Sequence, residues 1–187
     1  MPLAGQTAFD GARTSVEATI DAWEARNANL DHEQLLVVGQ DGIALGYFDG
    51  GKTSVGFELP DGVDPSTLTI THVHPVNNDR NIGGGFSNAD VINHINLGLA
   101  ETRAVAQEGS YSFRTTSESD PKGFKSALAN RQSVCLKQQR AAIKALEKQG
   151  ITLTAQEKMD IYLRASDIWY QNMANRYGYI YRSPYTG

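Results

Sequence analysis

The stretch LTITHVHP, residues 68–75, and the tetrapeptide SNAD, residues 87–90, decide the fold and the candidate chemistry of this chain. The first has β-branched residues in alternation, which predicts a strand that carries His72 and His74 on one face and is ended by Pro75. The second has serine three residues before an acidic residue, which is typical of a helix N-terminus. The Asn- and Gly-rich residues 76–86 then connect the strand to the helix as a loop.

The rest of the chain supplies further helices and strands. Apolar spacing of three to four residues predicts a helix over 14–29 and two long helices over 122–149 and 154–178. Residues 33–48 predict a hairpin around Asp41-Gly42. Additional strands are expected over 50–60, 102–107 and 111–116.

These elements predict an α+β protein with three parts. Residues 1–14 are small and polar and are expected to form a flexible N-terminal arm. Residues 15–120 are expected to form a core in which helices flank a mixed β-sheet. Residues 121–187 are expected to form a C-terminal helical hairpin packed on that core.

Composition excludes several classes of protein. The chain has 187 residues, a formal net charge of −4 and a single cysteine, Cys135, which we interpret as a packing residue in a protein of a reducing compartment. No secretory signal and no apolar run of membrane-spanning length is present, so no membrane partner is expected. No nucleic-acid partner is expected either, because the basic residues Arg131, Lys137, Arg140 and Lys144 fit the solvated face of a helix.

The two histidines suggest a metal site. Two imidazoles on one strand face suit a tetrahedral divalent ion, most often zinc, and Asp90 in the first helical turn can supply a third ligand. A fourth position would remain for water, as in catalytic zinc sites. Glu33, at the start of the first strand, is the candidate base for that water.

Simpler interpretations stay open for each of these residues. His72 and His74 can be ordinary strand residues, and Ser87 and Asp90 can be no more than a helix cap. Glu33 alone would be an exposed charge at a strand edge. His94, four residues after Asp90, can be a partner of the site, a substitute ligand or, more simply, a polar helix residue, and His32 is given no role.

The ordered combination of these motifs resembles the JAMM family, the MPN-plus or JAB metallopeptidases. The resemblance covers roughly residues 15–115 and is carried by Glu33 in a strand, by His72 and His74 in THVHP, and by Ser87 and Asp90 in FSNAD. It implies a JAB/MPN-like core in which His72, His74 and Asp90 bind Zn²⁺. It also implies that Glu33 is the general base and that Ser87 stabilises the oxyanion.

The resemblance implies a hydrolase that cleaves a peptide or isopeptide bond in a protein or peptide substrate. It is closest in style to phage-associated and toxin-associated members, for which a cognate inhibitor or immunity protein is an expected partner. The expected location is the cytoplasm, or a site reached by delivery without a signal peptide. The alternatives are a catalytically silent JAB-fold binding or scaffold module, and a zinc hydrolase that acts on a non-peptide substrate.

Overall fold

The computed structural model describes residues 4–59, 61–75 and 84–185, with side chains from residue 15 onward. The chain divides into two compact units, Met1–Arg114 and Thr115–Gly187. The helices and strands of the first unit are α1 (Ala4–Asn27), β1 (Gln34–Val38), β2 (Ala44–Asp49), β3 (Thr69–Val73), α2 (Asn88–Leu97), β4 (Glu101–Ala106) and β5 (Gly109–Arg114), with a short 3₁₀ helix at Pro65–Thr67.

The five strands of the first unit form a mixed sheet in the order β2-β1-β3-β4-β5. Strand β1 pairs antiparallel with β2 and β3, and β4 pairs antiparallel with β5. Strands β3 and β4 are parallel, and helix α2 connects them. This connection places the N-terminus of α2 after the C-terminal end of β3, which is where the sequence motifs lie.

Each face of this sheet carries its own apolar cluster, as expected for strands whose side chains alternate. On one face Leu36, Val38, Val73 and Val105 pack with Ile20 and Trp23 of α1. On the other face Leu35, Val37, Leu68, Ile70 and Leu99 form a second cluster. His72 alternates with Thr71 and Val73 along β3, so it lies on the face opposite α1.

A buried carboxylate network links α1 to the sheet. Glu24 is 3% exposed, and its carboxylate accepts hydrogen bonds from Thr71 Oγ1 at 2.8 Å and Ser110 Oγ at 2.5 Å. Arg103 on β4 donates from Nε and Nη2 to the two Glu24 oxygens at 3.0 Å each, and from Nη2 to Asp21 at 2.9 Å. The buried charge is therefore matched by an opposite charge and by hydroxyl donors.

The second unit consists of α3 (Pro121–Glu147), α4 (Ala155–Arg176) and β6 (Ile180–Arg182). Thr154 and Glu157 form the predicted capping box of α4. Aromatic side chains build its interior, where Phe124 contacts Trp169 and Tyr179 edge to face and Tyr170 stacks on Tyr181. Cys135 is buried within α3.

The predicted α+β class with a mixed sheet is confirmed, and two details are wrong. The flexible arm predicted over residues 1–14 is helical from Ala4 onward. Alanines at four-residue spacing, Ala4, Ala8 and Ala12, favour the helix despite the glycines between them. The strand predicted over 50–60 is not formed among its described residues, although Val55, Phe57 and Leu59 do turn toward the sheet.

Some predictions concern residues that the structure leaves undescribed or relations that it leaves untested. Most of the loop predicted over 76–86 lies outside the described residues. The first unit ends at Arg114, and the packing of the C-terminal helices on the core stays a prediction. Among the described helices, none is both long and apolar enough to cross a membrane.

Candidate metal centre

The end of β3 carries both histidines of the motif. His72 lies within β3 between Leu35 of β1 and Ala104 of β4. His74 follows the last residue of β3 and continues the ladder, because its N–H donates to the Val105 carbonyl at 2.8 Å. The His72 imidazole therefore projects from a backbone held by strands on both sides, and the His74 imidazole from a backbone held by β4.

The two imidazoles face one another. Their Nε2 atoms are 2.8 Å apart, and the ring centroids are separated by 4.6 Å. His74 Nδ1 lies 2.8 Å from the Gly84 carbonyl oxygen, which can only accept, so Nδ1 carries a proton and Nε2 is the coordinating atom of neutral His74. His72 Nδ1 is buried and has no hydrogen-bond partner among the residues described.

Helix α2 brings Asp90 to the same place. Ser87 caps the helix: its Oγ accepts from the Asp90 N–H at 3.2 Å, and Asp90 Oδ2 accepts from the Ser87 N–H at 2.7 Å. The same carboxylate lies against the histidines, with Oδ1 3.5 Å from His72 Nε2 and Oδ2 3.6 Å from His74 Nε2. The predicted capping box is confirmed, and it points Asp90 at the two imidazoles.

Charges at the site are strongly coupled. Burial acts to raise the pKa of Asp90, but the hydrogen bonds and charges of His72 and His74 outweigh it and hold that pKa well below its usual range. Burial likewise acts to lower the pKa of His74, but the hydrogen bond and charge of Asp90 outweigh it and leave that pKa raised. Asp90 is therefore an anion at neutral pH, as a metal ligand has to be.

Glu33 belongs to this group of charges. It precedes β1, which runs antiparallel to β3, so it lies at the end of the sheet where β3 finishes. Burial raises the pKa of Glu33, the nearby charges of His72 and His74 partly offset this, and Asp90 raises it further. A half-buried carboxylate with a raised pKa suits a general base that works near neutral pH.

The donor atoms fit a zinc ion. One ligand atom each from His72, His74 and Asp90 lies within 4.8 Å of the others. Around a tetrahedral zinc with bonds of about 2.0–2.1 Å, ligand atoms are about 3.3 Å apart. Asp90 Oδ1 lies 3.5 Å from His72 Nε2 and Oδ2 lies 3.6 Å from His74 Nε2, so each carboxylate oxygen is near this spacing from one imidazole. The histidine pair at 2.8 Å needs to open by about 0.5 Å.

His94 and His32 lie outside this group. His94 is fully buried, its Nδ1 is 2.9 Å from Thr102 Oγ1, and its ring packs edge-on against Phe113. The interpretation of His94 as a helix residue without a ligand role agrees with this position, but the side chain is a core residue held by β4 and β5. His32 contacts Asp31 at 2.9 Å and Asp49 at 3.8 Å.

Two backbone groups contribute to the site without a signal in the sequence. The carbonyl of Gly84 orients His74, although the glycine-rich stretch predicted only a loop. The N–H of Val55 lies close enough to the Glu33 carboxylate to lower its pKa. Every residue other than proline carries these groups, so residue identity could not have indicated either one.

Comparison with protein-family models, with curated proteins and with solved structures finds no match to this chain. The chemistry of the site therefore has to be argued from its own geometry.

Proposed function

We propose that this chain is a zinc-dependent hydrolase of the JAMM type, with a JAB/MPN-like core, that cleaves a peptide or isopeptide amide bond. The observation that carries the proposal is the convergence of His72, His74 and Asp90 next to the raised-pKa carboxylate of Glu33. Three ligands leave a fourth position open, which distinguishes catalytic zinc sites from structural ones.

Each residue has a separate task in this proposal. His72 and His74 present Nε2, and Asp90 presents a carboxylate, to hold the ion. Bound zinc supplies Lewis acidity, which polarises a carbonyl and makes water acidic near neutral pH. Glu33 accepts a proton from the attacking water and returns it to the leaving amine. The Ser87 hydroxyl, at the N-cap of α2, would donate toward the developing oxyanion.

Metal content is the first test. Elemental analysis of the purified chain should find about one zinc per molecule. The double variant H72A/H74A should lose it, and D90N should bind zinc more weakly because the neutral amide is a poorer ligand than a carboxylate. H32A is the matched control, since this histidine lies outside the metal-ligating group. Absence of zinc from the wild type, with no uptake when zinc is offered, would refute the metal centre.

Turnover is the second test. A panel of internally quenched peptides and lysine-linked isopeptides should contain a substrate that the zinc-loaded chain cleaves. E33Q should lower kcat by about 10²- to 10⁴-fold with zinc content unchanged, because the amide cannot accept the proton. Bound zinc without turnover of any substrate would favour the silent binding module, and cleavage of phosphodiesters instead would favour the non-peptide hydrolase.

The biological setting is a prediction that depends on this activity. A phage-associated protein or a secreted effector would act on a protein or peptide of its host. An effector of that kind would be produced with a cognate inhibitor or immunity protein. Co-purification from the producing cell, with an inhibitor assay on the identified substrate, would test that partner.

A further inference from the structure

We propose that the loop over residues 50–55, which follows β2, holds Glu33 in position. Residue 50 has to be a glycine for the loop to keep the conformation that holds Glu33. The inference rests on the proposed role of Glu33 as general base. It assigns a task to a segment that the sequence indicated only as a strand.

Backbone hydrogen bonds attach the loop to both sides of Glu33. The Glu33 N–H donates to the Gly51 carbonyl at 2.7 Å, and the Gly50 N–H donates to the Glu33 carbonyl at 2.8 Å. The loop closes on itself, because the Gly51 N–H donates to the Ser54 carbonyl at 2.8 Å. One tight turn therefore satisfies both the N–H and the carbonyl of Glu33.

The far end of the loop reaches the Glu33 side chain. The Val55 N–H acts on the Glu33 carboxylate and lowers its pKa, so the far end of the loop lies beside the reacting group. Val55 is itself anchored, because its side chain packs with Phe57 against the cluster that contains Leu35 and Val37. The loop therefore holds the backbone of Glu33 by hydrogen bonds and places an N–H close to its carboxylate.

The two glycines of the turn differ in the space around them. A Cβ at position 50 would lie 2.5 Å from the Ser54 carbonyl oxygen and 2.7 Å from Val55 Cα, both of them backbone atoms. A Cβ at position 51 would meet only the Ser54 carbonyl oxygen, at 3.9 Å. A methyl group at position 50 therefore has to push Ser54 and Val55 away, whereas one at position 51 is accommodated.

The paired variants G50A and G51A test the inference. In zinc-loaded protein, G50A should lower kcat by about 10- to 100-fold, since a displacement of about 1 Å in a reacting group can cost 100-fold. Its zinc content should equal that of the wild type, because the loop contributes no metal ligand. G51A should keep both kcat and zinc content.

A measurement without turnover accompanies the kinetics. The amide proton resonance of Val55, followed by NMR, should shift in E33Q because the charged carboxylate beside it becomes a neutral amide. It should shift also in G50A and stay in place in G51A. E33Q leaves the turn unaltered, so this readout tests the contact even if G50A fails to fold.

The outcomes separate this inference from the proposed function. An active wild type with G50A equally active, or a Val55 amide that ignores E33Q, would overturn the inference and leave the hydrolase in place. A wild type with no zinc and no turnover would overturn the hydrolase. In that case a Val55 amide that still responds to E33Q and G50A would show only that the loop contacts Glu33. The proposed role of the loop in catalysis would be refuted.

Discussion

Replacement of His94 by glutamine should alter the way stability depends on pH. Burial lowers the pKa of His94 to about 4, against 6.5 for the ordinary side chain. Between these values the unfolded chain binds a proton that the folded chain does not, so the free energy of unfolding falls as pH decreases. The neutral ring is stabilised at pH 7 by its bond to Thr102 and its contact with Phe113.

The size of the effect follows from the two pKa values. The full loss, reached below pH 4, is about 3 kcal/mol, and about 2 kcal/mol of it is already lost at pH 5. H94Q lacks the titrating ring, so it should be less stable than wild type at pH 7.5 and lose less stability on acidification. The gap in free energy of unfolding should therefore narrow by about 2 kcal/mol between pH 7.5 and pH 5.

Urea unfolding of both proteins in a chelator, across that pH range, measures the gap directly. The variant T102V is the control: it removes the hydroxyl partner but keeps a buried imidazole, so its pH dependence should stay like that of the wild type. A gap between wild type and H94Q that is the same at every pH would refute the argument, because it would mean that folding does not depress the pKa of His94.

Three substitutions test other parts of the molecule by urea unfolding. R103M should lower the free energy of unfolding by about 3 kcal/mol, since Glu24 would stay buried without its cation, and a loss under about 1 kcal/mol would contradict this. S87A should cost about 1 kcal/mol through loss of the cap on α2, and an unchanged stability would show that the cap contributes nothing. G178A should lower the free energy of unfolding more than G150A. Both glycines have positive φ, but of the two positions only 178 would bring a Cβ against backbone, at the Glu118 carbonyl oxygen. Equal losses of stability in the two variants would exclude that clash.

The parts of the site that were predictable from sequence are those set by short-range geometry. A strand period of two placed His72 and His74 together, and the three-residue spacing of Ser87 and Asp90 gave the cap of α2. That Glu33 shares the site depends on the pairing of β1 with β3, which joins residues far apart in sequence. Its position at the start of the first strand made Glu33 a candidate, and the resemblance to a known motif supported the relation.

The wrong predictions have physical reasons of the same kind. The composition of residues 50–60 favoured a strand, but it says nothing about whether the backbone finds a strand to pair with. The burial of His94 could not be predicted, because its partner Thr102 comes from β4. A sequence pattern within one helix does not reveal a partner in a strand. Burial of a polar side chain becomes favourable only once such a partner exists.

The cap and the proposed metal site share one carboxylate. Asp90 Oδ2 accepts the Ser87 N–H at 2.7 Å, a bond that fixes the side chain in the first turn of α2. Oδ1 is then directed at His72, 3.5 Å away, and retains its lone pairs. A ligand that is already oriented by a hydrogen bond loses less conformational entropy when an ion binds, so the cap lowers the cost of forming the site. The capping box would thus support the proposed metal binding, and its presence does not count against it.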